Sequence, residues 1–283
     1  MALLTSTLWL WFLVSRPLLY PLIPILFLLG YQAGGGVVAD LALLHLLFVL
    51  ALTWPVSMIL YGVNDIYDYD TDSRNTSRGQ LDGATVDPTR ARLVWWGVGI
   101  ATLLLFTIGL VAYGSFGVAF AVLMLVASIG YSVPPIRIKN RPGFDVVFSG
   151  FMYVAVMYSA GYILIHPTSW PPVEALLLTL ATIAFHALGT LRDYTADVAT
   201  NNRTFAVAYG PRNTALFVVV AAGIGGLLWY LHRGIDIPTL LLFLVILMPG
   251  LLTLRQPNEQ LVKRAMWVIA VTALCVGMYK LLI

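Results

Sequence analysis

The sequence predicts an all-α, polytopic membrane protein with nine transmembrane helices. Hydrophobic residues make up 60% of the 283 positions and charged residues only 10%, against roughly 25% charged in a soluble globular domain. A water-facing surface cannot be built from so few charges. Apolar stretches also recur along the whole chain, each near the ~20 residues a helix needs to cross ~30 Å of hydrocarbon.

Reading those stretches between glycine, proline and charge punctuation places spans at 17–33, 38–63, 92–112, 116–133, 144–165, 172–191, 213–231, 237–254 and 264–282. The first fifteen residues carry Trp9, Trp11 and Phe12 ahead of Arg16-Pro17. They read equally as an interfacial helix and as the frayed start of a longer first span. No basic leader region or small-residue cleavage site marks a cleavable signal. No separate soluble domain or long linker interrupts the pattern, so 1–283 is expected to be a single transmembrane domain.

Charge sets the orientation. Fourteen of the sixteen basic residues fall before span one or in the connections after spans two, four, six and eight, leaving Arg233 and Lys280 on the other side. The positive-inside rule makes the first group, with the N-terminus, cytoplasmic. A bacterial cell membrane is the expected location. The net charge of +3 comes from membrane-flanking loops and points to no nucleic-acid partner. The lone Cys275 lies inside the last apolar stretch, which excludes a disulfide framework or a cysteine metal site within one chain.

Thirteen acidic residues are spread over the chain, yet Asp65, Asp68, Asp70 and Asp72 fall within eight positions. On a helix Asn64, Asp68 and Asp72 form an i, i+4, i+8 stripe with Asp65 beside it, whereas Asp70 points away as a solvated carboxylate. Carboxylates at this spacing repel unless a cation offsets them. Mg²⁺ suits them, because it binds a few carboxylates together with substrate phosphates. A second pair, Asp193 and Asp197, again i, i+4, follows span six. Spans two and six run in the same direction, so both clusters are expected at the cytoplasmic face, as an internal pseudo-repeat about 128 residues apart. For one cluster alone, a polar helix end is as good an explanation as a ligand site. Two together favour a metal-bridged diphosphate.

Arg74, Arg78, Arg137, Lys139 and Arg203 lie in the loops on that face and, as a set, suit the remaining phosphate oxygens. Taken singly, each is better explained by orientation. Tyr67, Tyr131 and Tyr194 border the same loops as hydrogen-bond donors or as part of the aromatic belt. His186, seven residues before Asp193, reads first as a packing residue, and Asp145 as a cap of span five. Gly223, Gly225 and Gly226 are expected to permit close helix approach.

Asn64-Asp65-x-x-Asp68-x-x-x-Asp72 followed by Asp193-x-x-x-Asp197 resembles the UbiA superfamily of intramembrane prenyltransferases, whose architecture is a bundle of nine helices. The likeness includes Arg16-Pro17 and Tyr131-Ser132-Val133-Pro134-Pro135 and covers essentially the whole chain. It implies that Asn64, Asp65, Asp68, Asp72, Asp193 and Asp197 hold Mg²⁺ and an isoprenyl diphosphate, with Asp68 and Asp193 central to catalysis. Many relatives continue the first motif with a lysine and Arg-Pro, whereas Ser73-Arg74 and Arg78-Gly79 stand here. The stretch Tyr131 to Asp145 resembles the lycopene elongase branch, which implies transfer of the five-carbon unit of dimethylallyl diphosphate to a lipophilic carotenoid acceptor in C50 carotenoid biosynthesis. The rivals are an aromatic prenyltransferase of quinone, haem or chlorophyll biosynthesis, sharing both motifs, and a cation-coupled transporter, since intramembrane carboxylates often mark ion paths. Tyr61, Phe148, Tyr153 and Phe185 are candidate cation-stabilising rings, though core packing accounts for each.

Overall fold

The computed structural model describes residues 2–75, 83–169 and 172–283. Among them the regular structure is helical, without strands. In chain order the helices are α1 Ala2–Val14, α2 Leu22–Ala33, α3 Leu43–Ala51, α4 Trp54–Tyr67, α5 Tyr69–Asp72, α6 Ala91–Tyr113, α7 Ser115–Ser132, α8 Phe144–Gly150, α9 Val156–Ile163, α10 Val173–Arg192, α11 Tyr194–Ala199, α12 Phe205–Tyr209, α13 Pro211–Arg233, α14 Ile237–Arg255 and α15 Glu259–Leu282. A π-helical turn, Phe151–Ala155, joins α8 to α9.

Among the described residues eight segments are long and apolar enough to cross a membrane, and a ninth forms if Ser6–Val14 and Pro17–Ala33, bent by 46°, count as one span. The expected first span, 17–33, is thus long and apolar enough only when joined to the bent segment before it. The bend lies where it should: Pro17 has no N–H to continue the α1 ladder, and it excludes Arg16 from the right-handed helical region. Arg16 takes φ 52° and ψ 68° instead.

The chain divides into two compact units, one of Met1–Pro24 with Ala39–Ile138 and the other of Ile25–Val38 with Lys139–Ile283. In the first, α4 packs against α6 and α7. Gly109 and Gly117 bring α6 and α7 into backbone contact: a Cβ on Gly117 would lie within 2.1 Å of the Gly109 carbonyl oxygen. Ser128 donates from α7 to the Ile59 carbonyl of α4 at 2.7 Å, and Trp11 Nε1 donates from α1 to the Leu93 carbonyl at 2.8 Å. Trp9 and Phe12 of α1 stack with centroids 5.3 Å apart and remain exposed.

In the second unit α10 packs against α13, and α13 against α14. Ala184, Ala187 and Leu188 of α10 and Ala215 and Val218 of α13 are fully buried in one apolar cluster. Of the three expected close-approach glycines, Gly225 and Gly226 lie against Phe243, while a Cβ on Gly223 would meet only Leu247 Cδ1 at 3.8 Å. The outward faces are apolar, with Leu227, Leu231, Val268 and Val271 exposed. Such a surface is what lipid requires of a spanning helix.

The turn between α13 and α14 carries Asp236, which accepts from Trp229 Nε1 at 3.0 Å and from Lys280 Nζ at 2.5 Å. Burial alone would raise its carboxyl, but the Lys280 hydrogen bond and charge, helped by Trp229, hold it below the usual range. A depressed carboxylate contributes stability above its unfolded value of about 3.9, and that contribution is lost as pH falls through the lower folded value. Lys280→Met should therefore lower Tm at pH 7 by the equivalent of about 1 kcal/mol or less. The gap from the parent should close below about pH 4; a gap constant with pH would refute the linkage.

Candidate functional site

Both acidic clusters sit where a long helix breaks and restarts. Helix α4 ends at Tyr67, Asp68 takes φ −108° and ψ 6°, and α5 begins at Tyr69. Helix α10 ends at Arg192, Asp193 takes φ −100° and ψ 8°, and α11 begins at Tyr194. These are bridge-region conformations, sparsely populated and frequent at active sites. One turn is kept across each break: the Asp72 amide donates to the Asp68 carbonyl at 2.8 Å and the Asp197 amide to the Asp193 carbonyl at 2.9 Å.

The expected uninterrupted stripe from Asn64 to Asp72 is thus corrected. Asn64 and Asp65 ride on α4 and Asp72 on α5, with Asp68 as the joint. Backbone curvature of this kind leaves no mark on the 3.6-residue period. The repeat is also sharper than expected, since Asp68 and Asp72 map onto Asp193 and Asp197 with a common shift of 125 positions, and the residues at the two joints share nearly the same dihedrals.

In the first unit Asp65 is fully buried. Arg16 Nη2 donates to its Oδ1 at 3.0 Å, and the same guanidinium lies 4.1 Å from the centre of the Tyr61 ring. Arg137 Nη2 donates to the Tyr67 carbonyl at 3.3 Å and stands 3.8 Å from Asp68 Oδ1. Ser132 Oγ donates to Asn64 Oδ1 at 3.4 Å. Both arginines hold positive φ, 52° at Arg16 and 35° at Arg137. For residues with a Cβ that costs about 1–3 kcal/mol each, and such strain concentrates at functional sites. Asp70 is exposed as expected, Arg74 is exposed, and Tyr131 is half-buried at the end of α7. Arg78 lies outside the described residues.

In the second unit Arg192 forks onto Asp193, Nε to Oδ1 at 2.9 Å and Nη2 to Oδ2 at 2.6 Å. Asp197 is 6% exposed and accepts from Thr204 Oγ1 at 3.0 Å and Asn202 Nδ2 at 3.4 Å. Burial pushes its carboxyl up to about 7, with the Asp193 charge adding to the rise; Thr204, Asn202 and the Lys139 charge limit it. Lys139 is buried, and Arg203 is exposed.

Asp145 ties the elements around Asp197 together. It is 2% exposed; Oδ1 accepts the Gly143 amide at 2.8 Å and Oδ2 the Phe205 amide at 2.6 Å. Asp145 is thus the second residue of α8 rather than its expected cap; Gly143 is the cap, and the first bond reaches back to its amide. The second fastens the start of α12, next to Thr204, to the start of α8. Asn140 Nδ2 donates to Asn202 Oδ1 at 3.2 Å and closes the same clamp.

Arg16, Arg192, Asn202 and Thr204 are the site neighbours that sequence reasoning did not assign. Arg192 is adjacent to Asp193, so its reach was readable. Arg16 is 49 residues from Asp65, and only the bend at Pro17 turns it there.

The donors are all oxygen, and the crowding of Asp197 by Asp193 is what a bound cation would relieve. Among the described residues no three His, Cys, Asp or Glu side chains converge as a ready-made metal cage.

The model of the UbiA prenyltransferase family matches residues 21–271. The chain belongs to that family. This UbiA family member is accordingly a prenyltransferase and an integral, multi-pass membrane protein, which sets aside the carrier reading. The lycopene elongase/hydratase of Corynebacterium glutamicum is 28% identical over 214 residues, spanning 74% of this chain and 72% of that protein. The protein of the same name from Haloferax volcanii is 30% identical over 209 residues, 71% and 65% of the respective chains. A UbiA homolog from Archaeoglobus fulgidus bound to DMAPP and Mg²⁺ has the same fold, with a TM-score of 0.66 over 97% of this chain and 99% of that one at 19% identity.

Proposed function

We propose that this enzyme transfers the dimethylallyl group of dimethylallyl diphosphate to the ends of lycopene, with Mg²⁺, from the cytoplasmic side of the cell membrane. The donor half rests on one observation: two helices that break at an aspartate and carry a second aspartate one turn on. The acceptor half is supported by the names of the relatives. Mg²⁺ would supply charge neutralisation of the diphosphate leaving group.

Asn64, Asp65, Asp68 and Asp72 in the first unit, and Asp193 and Asp197 in the second, would hold Mg²⁺. Arg137 and Lys139, aided by Arg74, Arg78, Arg203 and Tyr131, would donate to the phosphate oxygens. Arg16 and Arg192 already neutralise Asp65 and Asp193. Their guanidinium groups provide a way to rebalance charge when substrate arrives, by passing from carboxylate to phosphate. With the charge of the leaving group balanced, the allylic C–O bond breaks heterolytically and the lycopene double bond attacks the resulting carbocation.

The test incubates membranes containing the protein with Mg²⁺ and dimethylallyl or longer diphosphates, offering lycopene and aromatic acceptors in parallel, and identifies products by mass. Carotenoids lengthened by five carbons are expected. An exclusively aromatic product overturns the acceptor assignment.

Asp145 enters through position rather than contact. Asp145→Ala leaves the Gly143 and Phe205 amides without their acceptor and loosens the segment that presents Thr204 to Asp197. The Mg²⁺ concentration for half-maximal rate should rise about 10–100-fold, as for other partners of metal-binding groups. An unchanged Mg²⁺ titration in a folded variant would contradict the clamp.

A further inference from the structure

Coupling of a dimethylallyl cation to an alkene leaves a new tertiary cation, and the reaction ends only when a base removes a proton or directs water onto it. Of the four histidines, 45, 166, 186 and 232, His186 alone lies within two helical turns of an acidic-cluster aspartate. It lies on α10 seven residues before Asp193, the joint that ends that helix, hence on the same face and about 10 Å inward at 1.5 Å per residue.

The helix surface at Gly189 has room for a side chain. Gly189 stands between the two, three residues after His186 and four before Asp193. A Cβ built there would meet only Met266 Cε, at 3.7 Å. At the inner end aromatic rings frame the imidazole. Tyr153 lies 5.2 Å from His186 between centroids, inclined by 34°, and Phe185 lies 6.1 Å away, edge-on. Tyr153 comes from the π-helical turn Phe151–Ala155, and such turns insert an extra residue and recur at functional sites. Ring faces stabilise a passing cation.

We propose that His186 is the base that resolves the product carbocation, with Tyr153 and Phe185 holding the cation beside it. The proposal rests on the prenyl-transfer reading above. Donor C1 loses its oxygen, which leaves with the electron pair as diphosphate, and the acceptor π pair forms the new C–C bond. The cation then loses an adjacent proton to the imidazole to give an alkene; alternatively, water adds through oxygen and passes its proton to the imidazole, giving a tertiary alcohol. The imidazolium returns its proton to water.

The experiment compares the parent protein with His186→Gln, His186→Phe and Gly189→Leu in membranes supplied with Mg²⁺, dimethylallyl diphosphate and lycopene. It measures kcat, the donor KM and the ratio of alkene to alcohol product. For both His186 variants kcat should fall roughly 10²-fold or more, with donor KM within about twofold and a changed alkene-to-alcohol ratio. A merely structural role would not move that ratio. Gly189→Leu, which fills the path while leaving the base intact, should lower kcat with the ratio unchanged. Parent-like kcat and product ratio in either folded His186 variant overturn the role of His186 while leaving prenyl transfer standing. Absence of a lycopene product from the parent protein overturns both.

Discussion

Replacing Asp68 or Asp193 by Ala should lower turnover by at least about 10²–10³-fold, the scale seen when one preorganised stabiliser of developing charge is removed. Both residues form the joint of a broken helix, and neither is fully buried, so the variants should remain folded in detergent. Each joint places a carboxylate one turn from a second, which the backbone bonds of 2.8 and 2.9 Å maintain. On the proposed function, each variant would take a ligand from Mg²⁺ at its own cluster. Asp70→Ala serves as the control. Asp70 is exposed, and its loss should leave the rate within about twofold of the parent, as for most surface substitutions. Substantial residual turnover in both Asp68→Ala and Asp193→Ala would remove the acidic clusters from the chemistry.

The largest stability effect is expected where α2 crosses α9. A Cβ on Gly161 would lie 1.9 Å from the Phe27 carbonyl oxygen, and one on Gly30 1.8 Å from that of Tyr158. Both obstacles are backbone, so no rotamer change relieves them and the two helices must separate. Gly161→Ala should cost about 3 kcal/mol or more, at the upper end of overpacking penalties, measured as a fall in Tm in detergent. Gly223→Ala provides the opposite sign. Its Cβ would make only an ordinary contact at 3.8 Å, and alanine favours a helix over glycine by about 1 kcal/mol. Equal destabilisation in the two variants would mean that helix crossing, as described, does not limit stability.

Where the protein resides and what kind of chemistry it performs are local properties of the chain. Apolar length alone marks the spans, because a helix in lipid must satisfy its backbone within itself. Aspartates four residues apart are neighbours in any helix, so both acidic pairs were legible before any packing was known. Asp70 is exposed, as its place in the sequence suggested. The family likeness read from those residues agrees with the family match over 21–271.

The rest depended on dihedrals and on partners distant in sequence. A helical period assumes a continuous helix, so it could not show that α4 and α10 break at Asp68 and Asp193, nor that the two joints are alike. Arg16 reaches Asp65 only because Pro17 turns the chain, and Asp145 reaches the Phe205 amide across 60 residues. Tyr153 meets His186 across 33 residues, from the π-helical turn. The sequence by itself determined the membrane class, the spans and the spacing of carboxylates within each cluster, because neighbours along one helix follow from its pitch. Which arginine neutralises which carboxylate, where the helices break and which ring meets which came from the fold, because those depend on close packing between helices whose side chains carry no record of their partners.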